Sequence, residues 1–433
     1  MKLSRQFLND AFTVIVLFLG TGAFLTLIVS PKVSTPETEA AGSPIMQTLW
    51  LAIYIIVAMR AVPYYRQILQ TVRDNKLLLL LVLLAILSAF WSEDPSLTLR
   101  RAVALLATTL FGLDFAVRYS VREQVRLVSI ALTLGVLLSI VAEVLFHGLI
   151  PAVDTTHSGA WHGVFDQKNV FAKVVVLAAT TILIRTRPRR WNLIITIGVV
   201  AIASALIGAA QSRTALVVFA AVLLLIPVFR IDRESWKARI RIAIIGVLAA
   251  GCILPLTVDL TRLAGLLGRD ATLTGRTAIW AEALASIARR PIWGYGYSAF
   301  WGVSRDAIRI DSFLGFEVPH AHNGYLELTL QLGIVGLALF LVLYATALWR
   351  AARYLNFDAG NEAIWPLAYL SLIMLYQVTE STIVVGNTIF WMLCVSTVCS
   401  ATELARYQSD ASIVEANSGI PLDSLLAVER ESL

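Results

Sequence analysis

Charge is what this sequence lacks most. Only 15% of its 433 residues are Asp, Glu, Lys or Arg, while 58% are hydrophobic; soluble domains carry roughly 25% and 45–50%. That balance leaves too few polar residues to cover a water-facing exterior. A soluble enzyme, a disordered chain and a nucleic-acid-binding module are therefore excluded, and the net charge of +6 needs another explanation. Cysteine is scarce too. Cys252, Cys394 and Cys399 all lie in apolar runs, so neither a disulfide framework nor a zinc site is indicated.

What the sequence has instead is long apolar runs. A membrane-crossing helix needs about 20 mostly apolar residues. Twelve such runs are expected, near 11–30, 45–59, 77–91, 102–117, 127–146, 170–184, 192–210, 214–229, 242–258, 325–348, 364–379 and 387–402. The fold class is thus all-α, a polytopic membrane helix bundle of about twelve transmembrane helices. The basic residues test the count, because connections on the inner side carry excess Lys and Arg. With the N-terminus inside, 22 of the 35 basic residues fall on the inner side, and the short outer connections are nearly free of them. The first run follows a basic start, yet it is long and lacks a small-x-small cleavage site, so a retained helix is expected rather than a signal peptide. Residues 1–402 read as one transmembrane domain, with a long outer loop at 259–323. Residues 403–433 read as a disordered tail on the inner side.

Two outer connections are long enough to build a site, about 147–169 and 259–323. All five histidines, His147, His157, His162, His320 and His322, stand in them. Histidine suits proton transfer near neutral pH, although a polar residue also avoids lipid for no functional reason. In the longer loop, Ile279, Trp280, Ala283, Leu284 and Ile287 recur at helical spacing. Thr274 stands at the N-cap position and Pro291 at the stop. This predicts an amphipathic helix on the outer membrane surface with Arg276 in its first turn, where a helix N-terminus and a guanidinium both favour an anion. A guanidinium snorkelling to lipid headgroups is the alternative. Arg213, at the outer turn between two apolar helices, invites the same two readings.

The sharpest feature is Pro319-His320-Ala321-His322-Asn323-Gly324, with Asn323 suited to cap the helix that follows. Gly333 and Gly336 would let a neighbouring helix approach. A histidine at this helix start, facing two arginines, would deprotonate a hydroxyl while the arginines hold a phosphate. Trp161, Trp293, Tyr295, Tyr297 and Trp301 are candidates to stack on sugar faces, or members of an interfacial aromatic belt. No dense Asp/Glu cluster calls for a divalent ion.

These motifs resemble a known family. Gly275-Arg276-(x)3-Trp280, Pro291-Ile-Trp-Gly294-Tyr-Gly296 and His322-Asn323-(x)9-Gly333-x-x-Gly336 are similar to the signature region of the O-antigen ligase and polymerase superfamily. Trp91-Ser-Glu-Asp-Pro-Ser96, running on to Arg101, resembles its exopolysaccharide polymerases of the rhizobial type, and Gly163-(x)5-Asn169 fits as well. The resemblance spans most of residues 75–400. It implies a fold akin to the C-type glycosyltransferases and an inverting, metal-independent glycosyl transfer from undecaprenyl-diphosphate-linked oligosaccharide to a glycan acceptor, without a cofactor. It further implies His322 as the essential histidine and Arg276 and Arg213 as the arginines on the donor diphosphate. Asn323, His320, Asn169 and Lys168 would support the acceptor or the site. The Arg-x-x-x-Leu form departs from the family at Val217. The implied setting is the periplasmic face of the bacterial inner membrane, with both termini cytoplasmic and with a chain-length regulator and a flippase as partners. Three activities stay open: polymerisation into exopolysaccharide, ligation of glycan to lipid A-core, and transport. Transport would use the charges inside spans, Asp114, Glu143 and Lys173.

Overall fold

In a computed structural model, residues 2–23, 43–146, 159–186, 190–231, 276–355 and 361–418 are described. Among these residues there are helices and no strands. The helices are α1 (Lys2–Leu19), α2 (Pro44–Ala61), α3 (Tyr65–Asp74), α4 (Lys76–Leu87), α5 (Pro95–Arg118), α6 (Val121–Phe146) and α7 (Lys168–Arg185). They continue as α8 (Arg190–Ala209), α9 (Arg213–Ile231), α10 (Arg276–Arg289), α11 (Arg305–Leu314), α12 (Gly324–Tyr354), α13 (Trp365–Gln377) and α14 (Ile389–Ser418). Six of the helical segments are long and apolar enough to cross a membrane. Shorter apolar helices accompany them, and ten of the expected spans coincide with helices; the one near 11–30 is helical to Leu19, with 24–30 outside the described residues, and 242–258 lies outside them altogether. The closing helix runs on to Ser418, beyond the boundary at 402 where a disordered tail was expected.

Burial sorts these helices into centre and rim. Helices α7 and α13 are buried along nearly their whole length, from Phe171 to Ile184 and from Trp365 to Gln377. Around them, α5 packs on α14, α6 on α7 and α12 on α14. At the rim, large aliphatic side chains such as Leu51, Leu80, Leu193 and Leu224 are exposed, which fits a hydrocarbon solvent where every backbone group is satisfied inside its own helix.

The charges inside spans are engaged. Asp114 lies between Arg60 and Arg118, at 3.3 and 2.8 Å, near the end of α5. Glu143 accepts hydrogen bonds from the backbone N–H groups of His162 and Gly163 at 2.9 and 2.8 Å. Each carboxylate is thus tied to fixed partners, a structural use rather than a relay.

Helix α12 is interrupted at Gly333, whose φ of 65° and ψ of −169° leave the helical region. The interruption frees carbonyls above it and N–H groups below it, and the non-helical segment 291–296 takes both. Tyr295 and Gly296 donate to the carbonyls of Leu330 and Gln331 at 2.8 and 3.0 Å, while Ile334 donates to the Pro291 carbonyl at 2.8 Å. A Cβ at Gly333 would sit 2.0 Å from the Ile292 carbonyl oxygen. The glycine pair was expected to admit a neighbouring helix; Gly333 admits the 291–296 segment instead. The start of α5 grips the same segment. Glu93 N–H donates to the Tyr295 carbonyl at 3.1 Å, and Thr98 Oγ1 donates to that of Tyr297 at 3.0 Å.

Candidate active site

Asn323 starts α12. Its Oδ1 accepts from the N–H groups of Tyr325 and Leu326 at 3.0 and 3.1 Å, the N-cap role read from the sequence. Its Nδ2 donates to the Val378 carbonyl at 3.2 Å, binding the start of α12 to the end of α13. The two backbones meet closely, since a Cβ at Gly324 would overlap the Gln377 side chain.

His322 precedes this cap with φ at 49°, a left-handed conformation that a non-glycine residue adopts at a cost of about 1–3 kcal/mol. The neighbouring Ala321 is fixed from both sides. Its carbonyl accepts from Trp280 Nε1 at 2.9 Å, and its N–H donates to Glu327 Oε2 at 2.8 Å. The His320 and His322 rings lie 4.1 Å apart between centroids. His322 Nδ1 is buried with no hydrogen-bond partner among the described residues, and so are Thr379 Oγ1 and Ser381 Oγ. Buried polar atoms are seldom left so, and here three of them collect around Glu380.

Glu380 is the centre of the site, and the sequence reading missed it. Lys173 Nζ stands 3.2 Å from one carboxylate oxygen and Arg276 Nη2 3.4 Å from the other. Arg276 Nη1 donates to the Thr379 carbonyl at 3.0 Å, so the guanidinium also covers the end of α13, where helix carbonyls lack partners. Burial opposes ionisation of Glu380, but Lys173 and Arg276 outweigh it and hold the carboxyl at about 2. Burial also pushes His322 down to about 3, reinforced by His320 and Arg276. His320 is lowered by burial as well, against the pull of Glu327 and Glu380. Both histidines are therefore neutral at ordinary pH. Asp166 approaches the same cluster; burial raises its carboxyl above the usual range, and Lys173 offsets part of that.

His320, His322 and Glu380 bring ligand atoms within 4.8 Å of one another. That geometry would suit a divalent cation, but Lys173 and Arg276 already neutralise the carboxylate and would repel one. Positive charge dominates here, so the arrangement favours an anion.

The other expected residues are placed as follows. Arg213 opens α9 and is exposed, with no ion pair among the described residues. Its neighbour Ser212 donates to Asn169 Oδ1 at 3.0 Å, one helical turn before Lys173 on α7. Lys168 is the first residue of α7. The His162 ring is tied by Nδ1 to the Phe165 carbonyl at 2.9 Å within its own loop; His147 and His157 lie outside the described residues.

Helix α10 packs on α11 and α12; Ile279, Ala283 and Ser286 are buried, while Leu284 is exposed. One expectation changes. Tyr295 and Tyr297 are buried, with hydroxyls bonded to Asp306 and to the Val384 carbonyl, and so cannot stack on a sugar. Trp301 donates to Glu327 at 2.8 Å. Trp293 is exposed and tilts against Trp91, 5.5 Å between ring centroids.

Comparison with known proteins falls on the same region. Residues 197–341, which include Arg213, Arg276 and His322, match the O-antigen ligase family. The chain is 26% identical over 343 residues to the exopolysaccharide production protein ExoQ of Rhizobium meliloti, covering 73% of each chain. It is 28% identical over 124 residues to the putative polysaccharide ligase RP358 of Rickettsia prowazekii, covering 27% of this chain and 30% of that one.

Proposed function

From a chain whose residues 197–341 carry the O-antigen ligase region, we propose a glycosyltransferase that polymerises undecaprenyl-diphosphate-linked oligosaccharides into exopolysaccharide. The reaction takes place at the periplasmic face of the inner membrane. The observation that carries this reading is the unpartnered Nδ1 of His322 beside two cations sharing one carboxylate.

An acceptor hydroxyl attacks the anomeric carbon of the donor from the face opposite the diphosphate. The new C–O bond forms as the bond to the diphosphate breaks, the electron pair leaves with the diphosphate, and His322 Nδ1 takes the hydroxyl proton. Inversion follows from that geometry. Arg276 and Lys173 hold the leaving group, and Arg213 reaches it from the start of α9. Donors aimed at charge that develops in the transition state are worth roughly 3–4 kcal/mol each. Glu380 occupies the cations until the donor arrives. The incoming diphosphate then lowers their repulsion of a proton, so His322 becomes a stronger base once the donor is bound.

The alignment over most of the chain with an exopolysaccharide production protein favours polymerisation. The family description and the shorter match to a putative polysaccharide ligase favour ligation, for which lipid A-core is the acceptor to try. Purified protein with a lipid-diphosphate-linked repeat unit and EDTA distinguishes them. A product ladder is expected from wild type, with a loss of at least about 10²-fold in His322→Ala and a strong loss in Arg276→Ala and Lys173→Ala. A single product formed only when lipid A-core is added would make the protein a ligase. No product with either acceptor, from folded protein, would reject glycosyl transfer.

A further inference from the structure

At the opposite end of the bundle from His322 lies a second site of positive charge. Helix α12 begins at Gly324 beside the histidines, and Arg350 lies near its other end. There a cleft of about 330 Å³ opens between the junction of α3 and α4 and the ends of α12 and α14, with Arg73, Lys76 and Arg350 in its wall. Asp74 is the one acidic residue lining it. Asp74 interacts electrostatically with Arg350, so the lining sets three positive charges against one negative charge.

The cleft is built, not incidental. Arg350 Nη1 donates to Thr402 Oγ1 at 2.6 Å, Thr402 lies 2.7 Å from the buried Asn75 Oδ1, and Asn75 Nδ2 donates to the Thr71 carbonyl at 2.9 Å. This chain fixes the guanidinium at the cleft and ties α3, α12 and α14 together. Arg73 and Lys76 are exposed at the rim. The remaining wall is apolar, with Leu77 and Leu343 among its residues. A cationic rim over an apolar wall at a membrane boundary matches a molecule with a phosphate at one end and acyl chains at the other.

We infer that this cleft binds an anionic phospholipid, its phosphate between Arg73, Lys76 and Arg350 and an acyl chain along Leu77 and Leu343. A free phosphate would use the cations but not the apolar wall. The inference is independent of the reaction proposed for the His322 site.

Native mass spectrometry of the full-length protein, given equal phosphatidylglycerol and phosphatidylcholine of the same chains, tests it. Wild type is expected to retain phosphatidylglycerol preferentially. The double variant Arg73→Gln/Lys76→Gln, changed only at exposed positions, should lose about thirtyfold of that preference, since each basic residue near an anionic surface contributes about 1 kcal/mol. Asp74→Asn should strengthen it. An unchanged melting temperature in phosphatidylcholine verifies that the double variant is folded. Wild type without preference, or a folded double variant with undiminished preference, overturns the inference. Displacement of the lipid by inorganic phosphate at equal concentration overturns it in favour of a free-phosphate site.

Discussion

His322 and Glu380 make the stability of the fold sensitive to acid, and the sign follows from their surroundings. An unfolded histidine titrates near 6.5, whereas folded His322 is held at about 3 by burial, His320 and Arg276. Between those values only the unfolded chain takes up the proton, so stability falls as the pH drops below 6.5. Glu380 acts lower. Its folded value of about 2 against a usual 4.5 contributes stability above pH 4.5 that is lost as the pH falls toward 2. Thermal melting of wild type should therefore weaken steadily from pH 6.5 to 4.5, while His322→Asn should show a shallower slope in that window. Equal slopes would place the titrating group elsewhere. Asn323→Ala should cost about 0.5–2 kcal/mol through the lost cap and free the left-handed His322 backbone. Denaturant unfolding checks the first effect, and a fall in turnover larger than the stability loss explains checks the second.

Elements add what single residues cannot. The 291–296 segment replaces one strip of backbone pairing in α12, and it hands the start of α5 to the same assembly. Gly333→Ala would force a Cβ against the Ile292 carbonyl at a left-handed position. We expect it to lower the melting temperature and remove transfer activity, whereas Gly198→Ala, inside α8 with nothing within 4 Å, should keep full activity and raise the melting temperature slightly, because Ala is the better helix former by about 0.5–1 kcal/mol. The contrast explains what the sequence made legible. Apolar periodicity identified the helices, and His322, Arg276 and Asn323 stood out as polar residues in breaks between apolar runs. Backbone-to-backbone pairing leaves no side-chain pattern, so the role of Gly333 was read as helix packing. Glu380 sits in a short turn between two apolar runs and Lys173 inside another. Their signal was the opposite sign of two costly charges, which become partners only when α7 and α13 are brought together.

At the scale of the whole molecule, the chemistry collects at one end and the phosphate-binding cleft at the other, and orientation decides which compartment each one meets. Helix α7 is the ruler. Its first turns carry Asn169 and Lys173 at the candidate site, while its last carbonyls, Leu183 and Ile184, accept from Arg230 near the end of α9. Arg276, the next described residue after Ile231, is back at the Lys173 end. The described chain therefore breaks off at one end and resumes at the other; the span expected at 242–258 lies outside the described residues. With the basic connections inside, Phe313 on α11 should face the outer compartment and Gln67 on α3 the inner one. Both are exposed, and Cys394 and Cys399 are buried, so single cysteines in a Cys252→Ser background can report the sides. A membrane-impermeant maleimide should label Phe313→Cys in spheroplasts with the inner membrane intact, and Gln67→Cys only in inside-out vesicles. Labelling of both positions only in inside-out vesicles would remove a crossing between α3 and α11 and place the His322 site in the wrong compartment for a periplasmic polymerase. The opposite pattern would reverse the whole bundle and put the anionic-lipid cleft outside.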